Sequence, residues 1–247
     1  MFGIKLVGMP LYVLTGRENV RAIRKYHGHI TDPGVHEFCL IRVFGVDKKA
    51  VKMYSQDDSG LHAKPAPHSS IAPHNRVDYH THMTFLKIFH GDGLNTLFRR
   101  WHISFSRRMA DMQIGTQWVE GSNFETFWMP SMVASLNEAM VGPILEAVNP
   151  NFTNDFLEFY PYAHSLMNGV AKVFMPRAIA LRDSLKRDFM TWHAVARSSF
   201  RESDVGEDGT DRWWGLSAFR DRQRLFSQVD DWDHATLASL DFGLLWG

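Results

Sequence analysis

The 247-residue chain is long enough for one large domain or two small ones, and its 45% hydrophobic and 22% charged residues are those of an ordinary globular protein. Lys+Arg and Asp+Glu both total 27, so no net field recommends nucleic acid or an anionic membrane as a partner. Cys39 is the only cysteine, which excludes an internal disulfide framework and any cysteine-cluster metal site. No run approaches the roughly 18–20 apolar residues that span a bilayer, and Met1-Phe-Gly-Ile-Lys5 lacks the basic region and apolar core of a signal peptide. As given, the chain is expected to be soluble or peripheral.

Ile4–Val7 and Leu11–Leu14 flank Gly8-Met9-Pro10 and predict a short β-hairpin that turns at the Gly and Pro. Thr15-Gly-Arg-Glu18 fits a capping box for a helix running to about Lys25. Val35–Val46 and Asp47–Tyr54 predict two short helical pieces. Gln56–Asn75, rich in Ser, Pro, His and Gly, predicts a mobile loop. Tyr79–Phe89 predicts a helix that ends at Gly91-Asp-Gly93. Leu94, Leu97, Phe98, Trp101, Phe105, Met109 and Met112 then recur at steps of three or four, the period of an amphipathic helix. Arg99, Arg100, Arg107 and Arg108 lie mainly off that stripe, and no acid falls between Leu94 and Met109 to neutralise them, so a local basic face is expected. For such a face a solvated surface is the commoner reading. An anion site is the functional one, because the planar Arg fork suits carboxylate or phosphate.

Thr126–Val148 predicts a helix interrupted at Gly142-Pro143, and Phe152–Phe159 a short piece that stops before Pro161. Pro176 suits a first helical position, and Ala178, Leu181, Leu185, Phe189, Trp192, Ala196 and Phe200 mark a helix of about seven turns. Gly206–Gly215 predicts a polar, Trp-bearing loop and Leu216–Val229 a further helix. In the last stretch Asp230, Asp231 and Asp233 are cap and first-turn acids for a buried helix carrying Leu237, Leu240, Leu244 and Leu245. That helix runs through Phe242 into Trp246 without a Gly, basic or polar close, so its apolar end is expected to be exposed and the chain to be a fragment. No repeat and no second domain boundary is evident, giving one partial domain over residues 1–247.

Thirteen histidines invite a metal reading, but His80, His82 and His90 are spaced by two and eight and share no helix face; no metal ligand set is assigned. No Gly-x-Ser-x-Gly elbow, phosphate-cradling Gly-rich loop or Gly-x-Gly-x-x-Gly is present.

The order of segments resembles that of cytochrome P450 monooxygenases, specifically fungal relatives of the branch with cholesterol 7α-hydroxylase and prostacyclin synthase. The residues that carry the resemblance are Pro10–Val20, then Phe85–Leu97 leading into the basic helix, then Asp204–Gly209, Ser217–Val229 and Asp230–Gly247. The last of these looks like the first half of the family's long central helix. The resemblance implies a mainly α chain with a small N-terminal β-hairpin, the first half of a cytochrome P450 fold. It implies a parent activity of haem-dependent insertion of an oxygen atom into an apolar substrate such as a sterol, lipid or secondary metabolite. Electrons would come from NADPH-cytochrome P450 reductase, and the family's endoplasmic reticulum anchor would precede Met1, leaving this chain cytoplasmic or of unknown location.

The family's Glu-x-x-Arg helix and Phe-x-x-Gly-x-x-x-Cys-x-Gly loop, whose thiolate is the axial haem ligand, are not found in place here. Glu18-Asn-Val-Arg21 matches the first pattern only by letter, and Cys39, followed by Ile41 where the loop needs Gly, is not the haem cysteine. No catalytic residue is assigned. Arg99 and Arg100 are the implied haem-propionate candidates, although Phe105 stands where the family's Trp-x-x-x-Arg motif has its Arg, and Trp246 is the implied substrate contact. The isolated chain is expected to be inactive. The alternative is a helical interaction module whose exposed Phe242–Trp246 end docks a partner.

Overall fold

The structure, a computed structural model, describes residues 2–6, 9–25, 33–112, 115, 116, 118, 120 and 123–246. It is mainly α with one two-stranded antiparallel sheet near the N-terminus. Residues 1–36 and 37–247 form two compact units, a division that the sequence did not mark.

In the first unit β1 (Phe2–Leu6) pairs with β2 (Met9–Val13), with Leu6 opposite Met9 and Lys5 opposite Pro10. Met9 and Pro10 therefore belong to the second strand rather than to the turn, whose Val7 and Gly8 lie outside the described residues. An edge strand tolerates Pro because no neighbour needs its N–H. Helix α1 (Arg17–Lys25) follows as expected, but without the capping box. Asn19 Nδ2 instead donates to the Thr15 carbonyl at 2.6 Å, and Glu18 pairs with Arg21 at 3.7 Å.

Helix α2 (Pro33–Arg42) carries the division between the units. In the second unit α3 (Lys48–Gln56) is capped by Asp47, whose carboxylate accepts from Lys49 N at 2.7 Å. The stretch from Gln56 to Asn75, expected to be a mobile loop, begins with the last residue of α3 and is tied down chiefly by the side chain of Arg76. Arg76, only 6% exposed, donates to Ser59 Oγ and to the carbonyls of Gly60, His62 and Ala63, and its guanidinium lies 4.3 Å from the Tyr79 ring centroid. Five donors in one planar group can satisfy several loop carbonyls at once, and composition does not reveal that.

Helices α4 (Val77–Phe89) and α5 (Gly91–Asp111) are separated by His90 alone, so Gly91-Asp-Gly93 opens the second helix rather than closing the first. A side chain at Gly93 would lie 1.8 Å from the Lys87 carbonyl oxygen, which is why the tight junction takes glycine. Helix α6 (Phe124–Val141) ends at Gly142, and α7 (Ile144–Val148) restarts after Pro143, as expected. Helix α8 (Phe152–Met167) corrects the stop at Pro161. Phe159, Ala163 and Leu166 are buried on both sides of the proline, and that packing outweighs one missing hydrogen bond.

Helix α9 (Pro176–Ser199) has Pro176 at its first position and buries Ala178, Leu181, Leu185, Phe189, Trp192 and Ala196, the expected face. It packs against α7, α8 and α11 (His234–Trp246), while α10 (Ser217–Phe226) packs against α4 and α11. The cap of α11 is Asp233, which accepts from Thr236 N at 2.7 Å and Thr236 Oγ1 at 2.8 Å. Asp230 and Asp231 instead bond Asn75 and Lys49.

The apolar end of α11 is not exposed. Phe242 is fully buried, with its ring 5.5–6.2 Å from those of Phe44, Phe156, Phe159 and Phe189. Leu244 and Leu245 are 4% and 6% exposed. The second unit's own helices cover the face that sequence reasoning left open, and the interaction-module alternative loses its surface.

Candidate functional site

The clearest helix, α5, does not turn its apolar stripe inward as a whole. Leu97 is buried, but Leu94 and Phe98 are exposed. Inward positions fall instead at Arg100, Ser104 and Arg108, spaced by four along one row facing α6 and α7. Arg100 Nε donates to the Ala139 carbonyl at 2.9 Å, Nη2 to the Glu138 carbonyl at 3.4 Å and Nη1 to Thr210 Oγ1 at 2.9 Å. The Ala139 carbonyl, in the last turn of α6, lacks a helical donor, and the guanidinium supplies one at the negative end of the helix dipole, while the Glu138 carbonyl also accepts from Gly142 N at 2.9 Å. Burial pushes the Arg100 pKa down, against the pull of Asp208, Glu138 and Asp211.

Glu138 is the hub of the row. Its carboxylate accepts from Ser104 Oγ at 2.7 Å, Arg107 Nη2 at 2.6 Å and Arg108 Nη2 at 3.1 Å. Burial raises its pKa, but the Arg107 and Ser104 hydrogen bonds outweigh that and hold it below the ordinary carboxylate value. Arg108 also reaches Glu146 at 2.6 Å, and Arg99 pairs with Asp208 at 2.7 Å. Burial likewise raises Asp208, and the Thr210 hydrogen bonds together with Arg99 pull it below its usual value.

Three of the four arginines of the expected basic face, Arg99, Arg107 and Arg108, are therefore ion-paired. Their counter-ions arrive from α6, α7 and the 206–215 loop, up to 109 residues away in sequence. An open cavity of about 540 Å³ lies over Arg99, Arg100, Ile103 and Ser104, and Glu138, Glu207 and Asp208 line it as well. Arg100 spends three of its five N–H donors on the α6 carbonyls and Thr210, and Arg99 spends one on Asp208, so each guanidinium keeps N–H groups unused among the described residues. Cys39, half-buried in α2, is the one cysteine.

Trp246 does not line this cavity. It packs 5.7–5.8 Å from the rings of Phe44, Tyr160 and His164, with a buried indole Nε1 that has no hydrogen-bond partner among the described residues. His80 Nε2 bonds the Pro73 carbonyl at 2.8 Å.

Sequence reasoning missed a buried polar cluster where α9, α10 and α11 meet. His193 is fully buried and Asp241 is 1% exposed, with their Nε2 and Oδ2 atoms 3.0 Å apart. Arg222 Nε donates to Asp241 Oδ1 at 2.6 Å, and Gln223 Nε2 donates to Asp241 Oδ2 at 2.8 Å. Burial pushes the His193 pKa down, and Asp241 offsets this only in part, so the imidazole is neutral at pH 7 and donates Nε2–H to the carboxylate. Burial raises the Asp241 pKa, yet the His193 hydrogen bond and the Arg222 charge win and hold it low. The cluster thus carries one paired charge of each sign. The available signal was Asp241 itself, a lone acid within the apolar run Leu240-Asp-Phe-Gly-Leu-Leu245.

No protein-family model matches the chain, and no solved structure matches it significantly. Among curated proteins it is similar to cytochrome P450 monooxygenase fsoE of Humicola fuscoatra, 23% identical over 258 residues that cover 98% of this chain and 40% of that protein. It is also similar to cytochrome P450 monooxygenase calL of Penicillium decumbens, 25% identical over 211 residues that cover 83% of this chain and 38% of that protein. The chain thus spans about two fifths of the length of the curated relatives it matches. Both similarities support kinship with the cytochrome P450 superfamily.

Proposed function

We propose that this chain corresponds to the first part of a haem-thiolate monooxygenase of the cytochrome P450 type, related to fungal members of the branch with cholesterol 7α-hydroxylase and prostacyclin synthase. In the whole protein the activity would be oxidation of an apolar sterol, lipid or secondary metabolite, with electrons from NADPH-cytochrome P450 reductase. The observation that carries this reading is the similarity to a P450 monooxygenase over 98% of the chain. The buried helix α11, at the middle of the aromatic core, is consistent with the start of a long central helix.

The 247 residues by themselves perform no oxygenation on this reading. A haem thiolate needs a cysteine presented by its own loop, and Cys39 lies within a helix beside Phe38 and Leu40. Arg99 and Arg100 would be the propionate contacts, through N–H groups they do not spend on Asp208, Thr210 and the α6 carbonyls. The role of this chain on this reading is scaffolding, with α11 supplying the start of the central helix.

Two measurements test the reading. The isolated chain, mixed with haem, reduced and exposed to carbon monoxide, is expected to give no thiolate-type Soret band; a full band would overturn the inactivity. Sequencing the native transcript past the codon for Gly247 is expected to show the frame continuing into a Glu-x-x-Arg helix and a Phe-x-x-Gly-x-x-x-Cys-x-Gly loop. A stop codon there would sink the monooxygenase assignment for this gene product.

A further inference from the structure

Where the end of α9 meets α10 and the start of α11, an open cavity of about 250 Å³ is lined by three arginines, Arg197, Arg220 and Arg224, and by no carboxylate. Two of the three are already neutralised. Arg220 Nη1 bonds the buried Asp211 carboxylate at 2.5 Å, and Arg224 pairs with Glu202. Arg197 has no carboxylate partner among the described residues. Its Nη1 donates to Gln223 Oε1 at 3.2 Å and to His234 Nδ1 at 3.1 Å, neither of them a carboxylate. Asp241, the acid that acts on Arg197 from the neighbouring cluster, is itself paired with Arg222, so Arg197 leaves the cavity with one positive charge that no ion pair compensates among the described residues. Partial burial already weighs against that charge and lowers the Arg197 pKa, with Asp241 opposing.

The head group is also held in place. Gln223 is pinned at both ends, its amide nitrogen on Asp241 and its amide oxygen on Arg197, so the guanidinium is oriented before any ligand arrives. Arg197 Nε and Nη2 have no hydrogen-bond partner among the described residues, and the guanidinium fork matches the two oxygens of a carboxylate. Phe200 and Trp214 stand beside it as apolar wall. Arg220 and Arg224 have no charge to spare, so a second anionic group on the ligand would find no counter-ion. The volume falls just below the usual range of about 300–1,000 Å³ for small-molecule sites and so suits a compact ligand.

We infer that this cavity is a binding site for a small monocarboxylate with a planar apolar body, anchored by Arg197 and separate from the Arg99–Arg100 cavity.

The test is calorimetric titration of the full 247-residue chain at pH 7 and low salt with benzoate, in parallel with benzyl alcohol and inorganic phosphate. Saturable one-to-one binding of benzoate is expected, with weaker or undetectable binding of the other two. Arg197→Gln should weaken benzoate at least tenfold, and Arg197→Lys, which keeps the charge but not the fork, should fall between. Arg187→Gln, on an exposed position of the same helix, should bind as the parent does, and circular dichroism of each variant checks that it is folded. No saturable benzoate binding by the parent would overturn the inference, as would equal affinity in Arg197→Gln. Benzyl alcohol binding as tightly as benzoate would refute the carboxylate anchor, and phosphate binding as tightly would refute the apolar body.

Discussion

Asp241 keeps its charge at 1% exposure because Arg222, His193 and Gln223 all donate to it, and none of the three sits next to it in the chain. Breaking such a pair costs more than replacing it, since a lone buried cation has nowhere to go. Asp241→Ala is expected to lower stability by about 3–5 kcal/mol. The double variant Asp241→Leu with Arg222→Met should recover much of that loss, as read from urea midpoints of the two proteins. A double variant no more stable than the single would show that the pair itself, rather than the orphaned Arg222, held the structure. The His193 and Asp241 pKa values are both depressed in the fold, so each contributes stability above its unfolded value that is lost as pH falls. Asp78 has the opposite sign. Burial, helped by the neighbouring Asp57 carboxylate, pushes it up to about 6 from the ordinary 3.8. The folded chain therefore holds that proton more tightly, and its contribution disappears as pH rises from 3.8 to about 6. Asp78→Asn should be more stable than the parent at pH 7, by about 1 kcal/mol once solvent screening is allowed for, and no more stable near pH 4. Equal unfolding midpoints for the two proteins at pH 7 would refute this.

Among the elements, the close of α6 on the 211–215 turn leaves no room for a side chain at Gly215. Asp211 holds that turn by accepting from Trp213 N and Trp214 N, and Leu216 N donates to the Met140 carbonyl at 2.9 Å. Gly215 adopts φ 70°, and a Cβ there would lie 2.3 Å from Met140 O and 2.5 Å from Gly142 N, both backbone atoms that a side-chain rotation cannot move. Gly215→Ala is therefore expected to cost about 2 kcal/mol or more, beyond the ordinary penalty for a left-handed residue. Thermal unfolding of that variant checks it, and an unchanged midpoint would show that α6 can shift away. Sequence patterns located the ends of α6 and α9 because caps and prolines act within a turn of themselves. They misplaced the end of α8, because Pro161 is tolerated through contacts that Phe159, Ala163 and Leu166 make elsewhere.

For the molecule as a whole, the chain alone determined the helical class, the hairpin, the long helix from Pro176 and the apolar face of α11. Those features rest on interactions between residues a few positions apart, which periodicity records. The resemblance to cytochrome P450 monooxygenases was also legible, in the order of segments, and it is at this scale that the carbon monoxide spectrum of the isolated chain tests whether 247 residues can act without the rest of their relatives' length. Only the tertiary structure decided which charges meet. The acids that pair with Arg99, Arg107 and Arg108 lie 30 to 109 residues away, so counting charges along α5 gave a basic face that folding pairs at three of its four arginines. The same holds in reverse for Arg197, one cation among many in the sequence, which becomes notable only because its neighbours are already paired. Burial of the α11 end was likewise decided in three dimensions, because the aromatic rings that cover Phe242 come from α8, α9 and the segment after α2. Short-range geometry is written in spacing, whereas desolvation and charge pairing depend on which distant segments pack together.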